Sequence, residues 1–210
     1  MSYHAKQCQG LLIGLLLLLA GGAAQASWPI TTGQPLPPLL IEEQGELLLS
    51  EGRSHFRPWH SDSGLGQAQV IQYMAARMST SKLNEPLTDA LKEAGFPPEQ
   101  LRVTTILNLA DAAWGTRGFV MGELESNKKK HPDAILVADE SGAGLRSWQL
   151  EEKNSAIAVV APEGAIALFH QGPLDVAGID RVLDLIRSWV DTPPQDSVES
   201  TGHSAASASL

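Results

Sequence analysis

The sequence predicts an α/β protein built on a mixed central sheet flanked by helices, with an extra β-hairpin at its N-terminal side. Three patterns carry that prediction. Short apolar, β-branched runs alternate with amphipathic helical stretches, as at Gln69–Ala75, Ser79–Ala94 and Leu101–Leu109; strand–helix–strand crossovers of this kind need parallel pairing. Ala156–Ala161 and Ala165–His170 bracket Pro162-Glu163-Gly164, which signals an antiparallel hairpin late in the chain. An apolar stripe at helical spacing, Ile179, Val182, Leu183, Ile186 and Trp189 or Val190, closes the domain.

Before these elements stands a leader. Lys6 supplies a positive n-region, Leu11–Ala20 is an apolar run, and Ala24-Gln25-Ala26 is a small-x-small cleavage pattern that makes Ser27 the expected first residue after processing. The run of 10 residues is half the roughly 20 needed to span a bilayer, which favours cleavage over an anchor helix. Cys8 precedes the run and so is not placed for lipidation. Removing 26 of the 210 residues leaves 184, takes away one lysine and no acid, and moves the net charge from −9 to −10. It also removes the single cysteine. The mature chain is therefore expected to have no disulfide, no thiol chemistry and no cysteine metal site. Its acidity argues against nucleic acid as a partner.

In chain order, Trp28–Pro38 carries four prolines and reads as extended and irregular. Leu39–Glu42 and Glu46–Leu49 around Glu43-Gln44-Gly45 read as a hairpin, and Arg53–Gly66, polar and containing Trp59, as a loop. Gln69–Ala75 is short enough for a buried strand. In Ser79–Ala94, Leu83, Leu87, Ala90, Leu91 and Ala94 recur at helical spacing and Gly95 stops the helix; Pro86 means that the helix starts near Glu85 or kinks there. Ala110–Gly118 reads as a loop with Trp114. Met121–Lys130 reads as a helix whose lysines, Lys128 to Lys130, offset the negative end of its dipole on the surface. Ala134–Ala138 and Leu145–Leu150 flank a turn at Ser141-Gly142, the helix of the last stripe runs from Asp175 or Gly178 to about Val190, and Thr192–Leu210 reads as a disordered tail. The three spans are thus a leader at 1–26, one domain at 27–191 and a tail at 192–210.

The order strand, helix, strand, then hairpin and final helix, with Val159-Val160-Ala161-Pro162-Glu163-Gly164 as the hairpin's first strand and turn, resembles the thioredoxin-like fold. Glu125-Ser126-Asn127-Lys128-Lys129, Trp148-Gln149-Leu150 and Ser155-Ala156 resemble the YtfJ family of exported bacterial proteins, over roughly Thr32 to Val190. The family resemblance implies a periplasmic location. In the thioredoxin-like redox proteins a Cys-x-x-Cys opens the first crossover helix; here that place falls on Met78-Ser79-Thr80-Ser81. The cis-proline that faces the thiols falls on or beside Ser155. No catalytic role transfers to any residue. What the resemblance leaves is a shape at the carboxyl ends of the strands.

On that face, Arg77-Met78-Ser79-Thr80-Ser81 could form a small pocket for an anion or a peptide carboxylate, using free N–H groups, hydroxyls and a guanidinium. The plainer alternative is an N-cap by Ser79 or Ser81. Asp111 and Trp114 would flank the same face. His55 and His60, with Asp62 near, lack the usual zinc spacing, and no metal or cofactor site is expected. No Gly-x-Ser-x-Gly elbow, Walker loop or Rossmann fingerprint occurs. Two functions follow as expectations: a redox-inactive binding or accessory protein that holds a peptide or protein partner on the degenerate face, or a metal- or serine-dependent hydrolase on the same scaffold.

Overall fold

A computed structural model describes residues 29–190. The expected leader and tail lie outside these residues. The strands are β1 (Leu40–Ser50), β2 (Arg53–His60), β3 (Ala68–Ala75), β4 (Leu101–Asn108), β5 (Ile135–Asp139), β6 (Ser155–Val160) and β7 (Ile166–Gln171). The helices are α1 (Glu85–Ala94), α2 (Arg117–Lys130), α3 (Ala143–Ser147) and α4 (Val176–Val190), with one 3-10 turn at Leu109–Asp111. The seven strands form one sheet in the order β2-β1-β5-β4-β3-β6-β7. β3, β4 and β5 are parallel to one another, and every other neighbouring pair is antiparallel. The expected mixed sheet is thus the observed one.

Side-chain alternation along the central strands sends successive residues to opposite faces. Val70, Leu101, Ile157 and Val159 pack against Leu87 and Leu91 of α1 and Val182, Leu183 and Ile186 of α4. On the same face nearer β1, Leu47 and Ala138 pack against Leu124 of α2. Ile71, Tyr73, Ile106, Val137, Ala156 and Ala158 point the other way, onto Trp148, Leu150, Trp59 and Ile30. That second face is covered by the short α3 and by the N-terminal segment, which is irregular as its prolines require. The segment is fastened to the start of β7, with Gly33 N donating to Ile166 O at 2.8 Å and Ile166 N to Gln34 O at 2.9 Å.

Four local expectations are corrected. Glu43-Gln44-Gly45 is not a hairpin turn. Gln44 (φ 66°) and Gly45 (φ 78°) do take the positive φ values of such a turn. They instead form a bulge inside one strand, where β1 advances from Ile41 to Glu46 while β2 moves only from Trp59 to Arg57. The hairpin turn is Glu51-Gly52, also at positive φ, enclosed by the pair Ser50↔Arg53. Accordingly, Arg53–His60 is a strand and not a loop, and Trp59 is buried at 2% exposure. Leu145–Leu150 is not extended: the Asp139 carboxylate accepts from Ala143 N and Gly144 N, both at 2.8 Å, and turns the chain into α3. Lys128 is not a surface lysine. It is 4% exposed, its Nζ donates to Ala134 O at 2.6 Å, and burial lowers its pKa, against the opposing pull of Glu46 and Asp133.

Of the two alternatives at Pro86, a kink or a start near Glu85, the observed one is the start at Glu85, with Pro86 in the first turn and Gly95 in the left-handed conformation at the end. α2 starts four residues before the expected Met121. Gly118 and Gly122 in its first half lower helix propensity there and hide its beginning.

These backbones make opposite predictions for two glycines. A Cβ on Gly45 would sit 2.1 Å from Arg57 O, on backbone that cannot yield, whereas a Cβ on Gly122 meets nothing within 4 Å. Gly45→Ala should destabilise the fold by more than about 2 kcal/mol, the scale of core overpacking and left-handed strain together. Gly122→Ala should stabilise it by about 0.5–1 kcal/mol. Urea denaturation of the two variants beside the parent checks both signs.

Candidate functional site

The carboxyl ends of β3 and β4 and the start of β6 bring three chain segments together. Ala75 N donates to Asn154 O at 3.0 Å, and Met74 pairs with Ser155, so the end of β3 lies against residues 154–155 on one side. On its other side Ala76 N donates to Asn108 O at 3.0 Å. Asp111 closes the ring: its Oδ2 accepts from Asn108 Nδ2 at 3.0 Å and from Lys153 N at 3.1 Å. Of the predicted residues, Arg77, Thr80, Asp111 and Ser155 therefore belong to one connected face. Trp114 and Met78 stand out from it, fully exposed and 88% exposed respectively.

Each polar group of the Arg77–Ser81 turn has a distinct state. Thr80 is buried and its hydroxyl lies 2.5 Å from Ala75 O and 3.0 Å from Arg77 O, so it pins the turn to the end of β3. The amides of Arg77, Thr80 and Ser81 all donate within the turn, to Ala75 O and Arg77 O. Ser81 donates to Met78 O at 3.0 Å, while Ser79 is exposed. The helix proper begins past these residues, so neither Ser79 nor Ser81 caps it. The N-cap is Asn84, whose side chain makes no capping bond. On this turn the Arg77 Nε is buried and unpartnered, and the Met78 thioether and Ser79 are exposed.

Beneath the face a second network holds the central strands. The Tyr73 hydroxyl donates to Asp139 Oδ2 at 2.8 Å and accepts from Leu145 N at 2.9 Å. Asp139 has no exposed surface, and with Ala143 N and Gly144 N it has three donors. The Tyr73 ring meets Trp148 edge-on at 6.4 Å, and the Trp148 indole donates to Pro37 O at 3.1 Å. Burial first, then the Asp139 charge, pushes the Tyr73 pKa far above its usual value. Asn108, Lys153, Asn154 and this Tyr73–Asp139 pair were not read from the sequence. Each is a single polar residue in an apolar or loop context, and only the register of the strands shows what it meets.

The histidines do not assemble. His55 pairs with Leu48 and His60 with Leu40, on opposite faces of β2. The His170 imidazole reaches Pro173 O at 3.2 Å. Among the described residues no group of three or more His, Cys, Asp and Glu side chains is placed to hold a metal ion. No helix of the described residues is long and apolar enough to cross a membrane.

Comparison with known proteins agrees with this architecture. Residues 30–189 match the model of the YtfJ family, described as bacterial protein of unknown function. The uncharacterised protein YtfJ of Escherichia coli is 35% identical over 173 residues, covering 82% of this chain and 92% of the relative. An uncharacterised protein of Haemophilus influenzae is 30% identical over 183 residues, covering 86% and 96%. Among solved structures, a thiol-disulfide isomerase of Corynebacterium glutamicum superposes with a TM-score of 0.50 at 16% identity, covering 77% of this chain and 98% of that one. The C-terminal domain of a Bacteroides thetaiotaomicron protein named as a thiol-disulfide oxidoreductase gives 0.51 at 12% identity, covering 75% and 97%.

The Tyr73–Asp139 pair makes a pH prediction. Tyr73 holds its proton in the fold to a higher pH than in the unfolded chain, so its contribution is complete below about pH 10, the unfolded value, and is lost as pH rises beyond it. Thermal melts between pH 8 and 11 should fall more steeply for the parent than for Tyr73→Phe. At neutral pH that variant should lose about 1–3 kcal/mol, because Leu145 N and one Asp139 oxygen lose a buried partner. The arrangement of strands and the matches over nearly all the described residues lead to one statement: the chain is a member of the YtfJ family, on a thioredoxin-like fold.

Proposed function

We propose that this chain is an exported, redox-inactive binding or accessory protein that holds a peptide or protein partner on the face where the thioredoxin-like enzymes carry their thiols. The observation that carries the reading is what occupies that face. The position after β3 presents an 88% exposed methionine, the loop after β4 presents a fully exposed tryptophan, and the single cysteine of the chain is Cys8. An exposed aromatic and an exposed thioether, in the loops that follow neighbouring strands, are suited to docking a partner, and no sulfur there can enter a disulfide. The neighbouring Arg77 guanidinium adds a donor for a carboxylate or main-chain carbonyl. The hydrolase alternative needs an imidazole converging on a serine or an acid, whereas the His170 imidazole reaches the main-chain carbonyl of Pro173 and His55 and His60 lie on opposite faces of β2.

The proposed compartment is the periplasm, reached through the leader that ends at Ala26. Mass spectrometry of the chain purified from a Gram-negative periplasm should give the mass of Ser27–Leu210, and a mass including Met1–Ala26 would contradict export by cleavage. Docking is tested by crosslinking in periplasmic extract. Met78→Glu with Trp114→Glu should lower capture of the partner at least tenfold, about 1.4 kcal/mol, with the melting temperature held. Arg77→Glu with Ser79→Glu should weaken it as well, and Arg181→Glu on the exposed side of α4 should leave it unchanged. Equal capture by all four proteins would remove this face as the docking site.

A further inference from the structure

Among the described residues, six buried side-chain nitrogen and oxygen atoms meet no hydrogen-bond partner: Ser54 Oγ, Trp59 Nε1, Arg77 Nε, both amide atoms of Asn84, and Ser155 Oγ. Native interiors leave few such groups, because each forfeits its hydration without return. Four of the six belong to the region around the carboxyl end of β3.

Asn84 and Ser155 occupy one level of one interface. Gln72 Nε2 on β3 donates to Thr88 Oγ1 on α1 at 3.3 Å, which fixes those two residues side by side. The crossover helix runs back antiparallel to β3. Moving four residues from Thr88 to Asn84 covers about 6 Å of helix, and moving two from Gln72 to Met74 covers about the same length of strand. Asn84 therefore lies level with Met74, whose cross-strand partner on β6 is Ser155. Ser155 shares its side of β6 with Ile157 and Val159, which pack into the helical layer formed with α1 and α4.

Both residues have their backbones occupied and their side chains free. Asn84 O accepts from Thr88 N at 3.0 Å and Thr88 Oγ1 at 3.1 Å. Ser155 N donates to the Asn154 side chain at 2.8 Å, and Ser155 O accepts from Gly172 N at 2.7 Å. Asparagine is among the strongest helix caps, yet at the N-cap of α1 this side chain is 3% exposed and caps nothing. Ser155 is 2% exposed. These are polar groups held in the interior at a cost in stability, with no structural return.

We propose that Asn84 and Ser155 form a recessed subsite for an uncharged amide, the main-chain or carboxamide group of a bound peptide. This inference rests on the docking face proposed above and specifies the chemistry of what reaches its floor. The polar side chains at this level, Gln72, Thr88, Asn84 and Ser155, are all neutral, which suits an uncharged group; the Arg77 guanidinium of the same region is the one assigned above to the docking face. The ligand carries both a donor and an acceptor because Asn84 Oδ1 needs the first and Nδ2 the second. Entry requires residues 77–83 to swing aside, between Ala76, which stays fixed to β4 through Asn108 O, and Asn84 at the head of α1. That segment is held largely by short-range turn bonds, such as Thr80 N to Arg77 O and Leu83 N to Thr80 O, and by the Thr80 hydroxyl.

The test titrates the full chain, labelled with ¹⁵N, with N-acetylglycine N-methylamide, a peptide unit with blocked ends. In the parent the Asn84 side-chain amide and the Ser155 amide should shift saturably. Ser155→Ala and Asn84→Leu should weaken that response at least tenfold and raise the melting temperature by about 2–4 °C, as an unsatisfied buried group is removed. Absence of a saturable shift in the parent, a lower melting temperature in both variants, or a crystal soaked with the probe that shows an ordered water only would each overturn the proposal. The probe needs no partner protein. If it binds while capture is insensitive to Met78 and Trp114, the docking reading fails and the subsite stands; if capture depends on those two residues and the probe does not bind, only the subsite fails.

Discussion

The carboxylate of Asp139 is the interaction on which the rest of the molecule depends. It sits at the end of β5 with no exposed surface and carries three donors, Tyr73 Oη–H and the amides of Ala143 and Gly144. Burying a carboxylate is costly, and charge-assisted hydrogen bonds of this number and length are what offsets it. The same three bonds join β3 to β5 across β4 and begin α3. Gly144 is needed for this closeness, since a Cβ there would lie 2.4 Å from the Tyr73 ring. α3 in turn sets Trp148 and Leu150 over the sheet face that the N-terminal segment completes. Remove the pair and one whole layer loses its anchor.

The candidate face inherits its shape from that frame. Parallel strands β3 and β4 end side by side, and the antiparallel β6 begins beside β3, so three loops converge without any residue between them needing to be large. Asp111 bonds two of those loops to each other, and Thr80 pins the third to β3. In a redox protein such convergence steers thiol chemistry. Here the same construction carries the thioether of Met78, the indole of Trp114 and the guanidinium of Arg77, and no thiol.

Much of the fold was legible because periodicity records burial. β3, β4, β6, β7 and α4 are apolar runs or stripes whose burial on a known face leaves a pattern in the chain. β2 was not legible, because an edge strand of sequence Arg-Ser-His-Phe-Arg-Pro-Trp-His buries only Trp59 fully, so polarity and Pro58 disguise it as a loop. The β1 bulge failed in the opposite way. Gln44 and Gly45 have the backbone of a turn, and only pairing on both sides, with β2 and with β5, reveals a strand. α3 depends on a capping carboxylate that precedes it by four residues, in a stretch whose composition reads as extended. At the candidate face, the fold resemblance pointed to Met78–Ser81 and Ser155 and the loop after the second crossover strand to Asp111, and the strand ends do bring these segments together. Asn84 gave no signal, since what distinguishes it is the absence of the bond an asparagine in that position ordinarily makes.

A photo-crosslinking amino acid placed at Trp114, with the same group at Arg181 on α4 as reference, tests the central claim most directly in living Gram-negative cells. A face built for docking should give a discrete crosslinked product from position 114, competed by excess parent protein, and none from position 181. Products that are the same from both positions, or none from either, would contradict it.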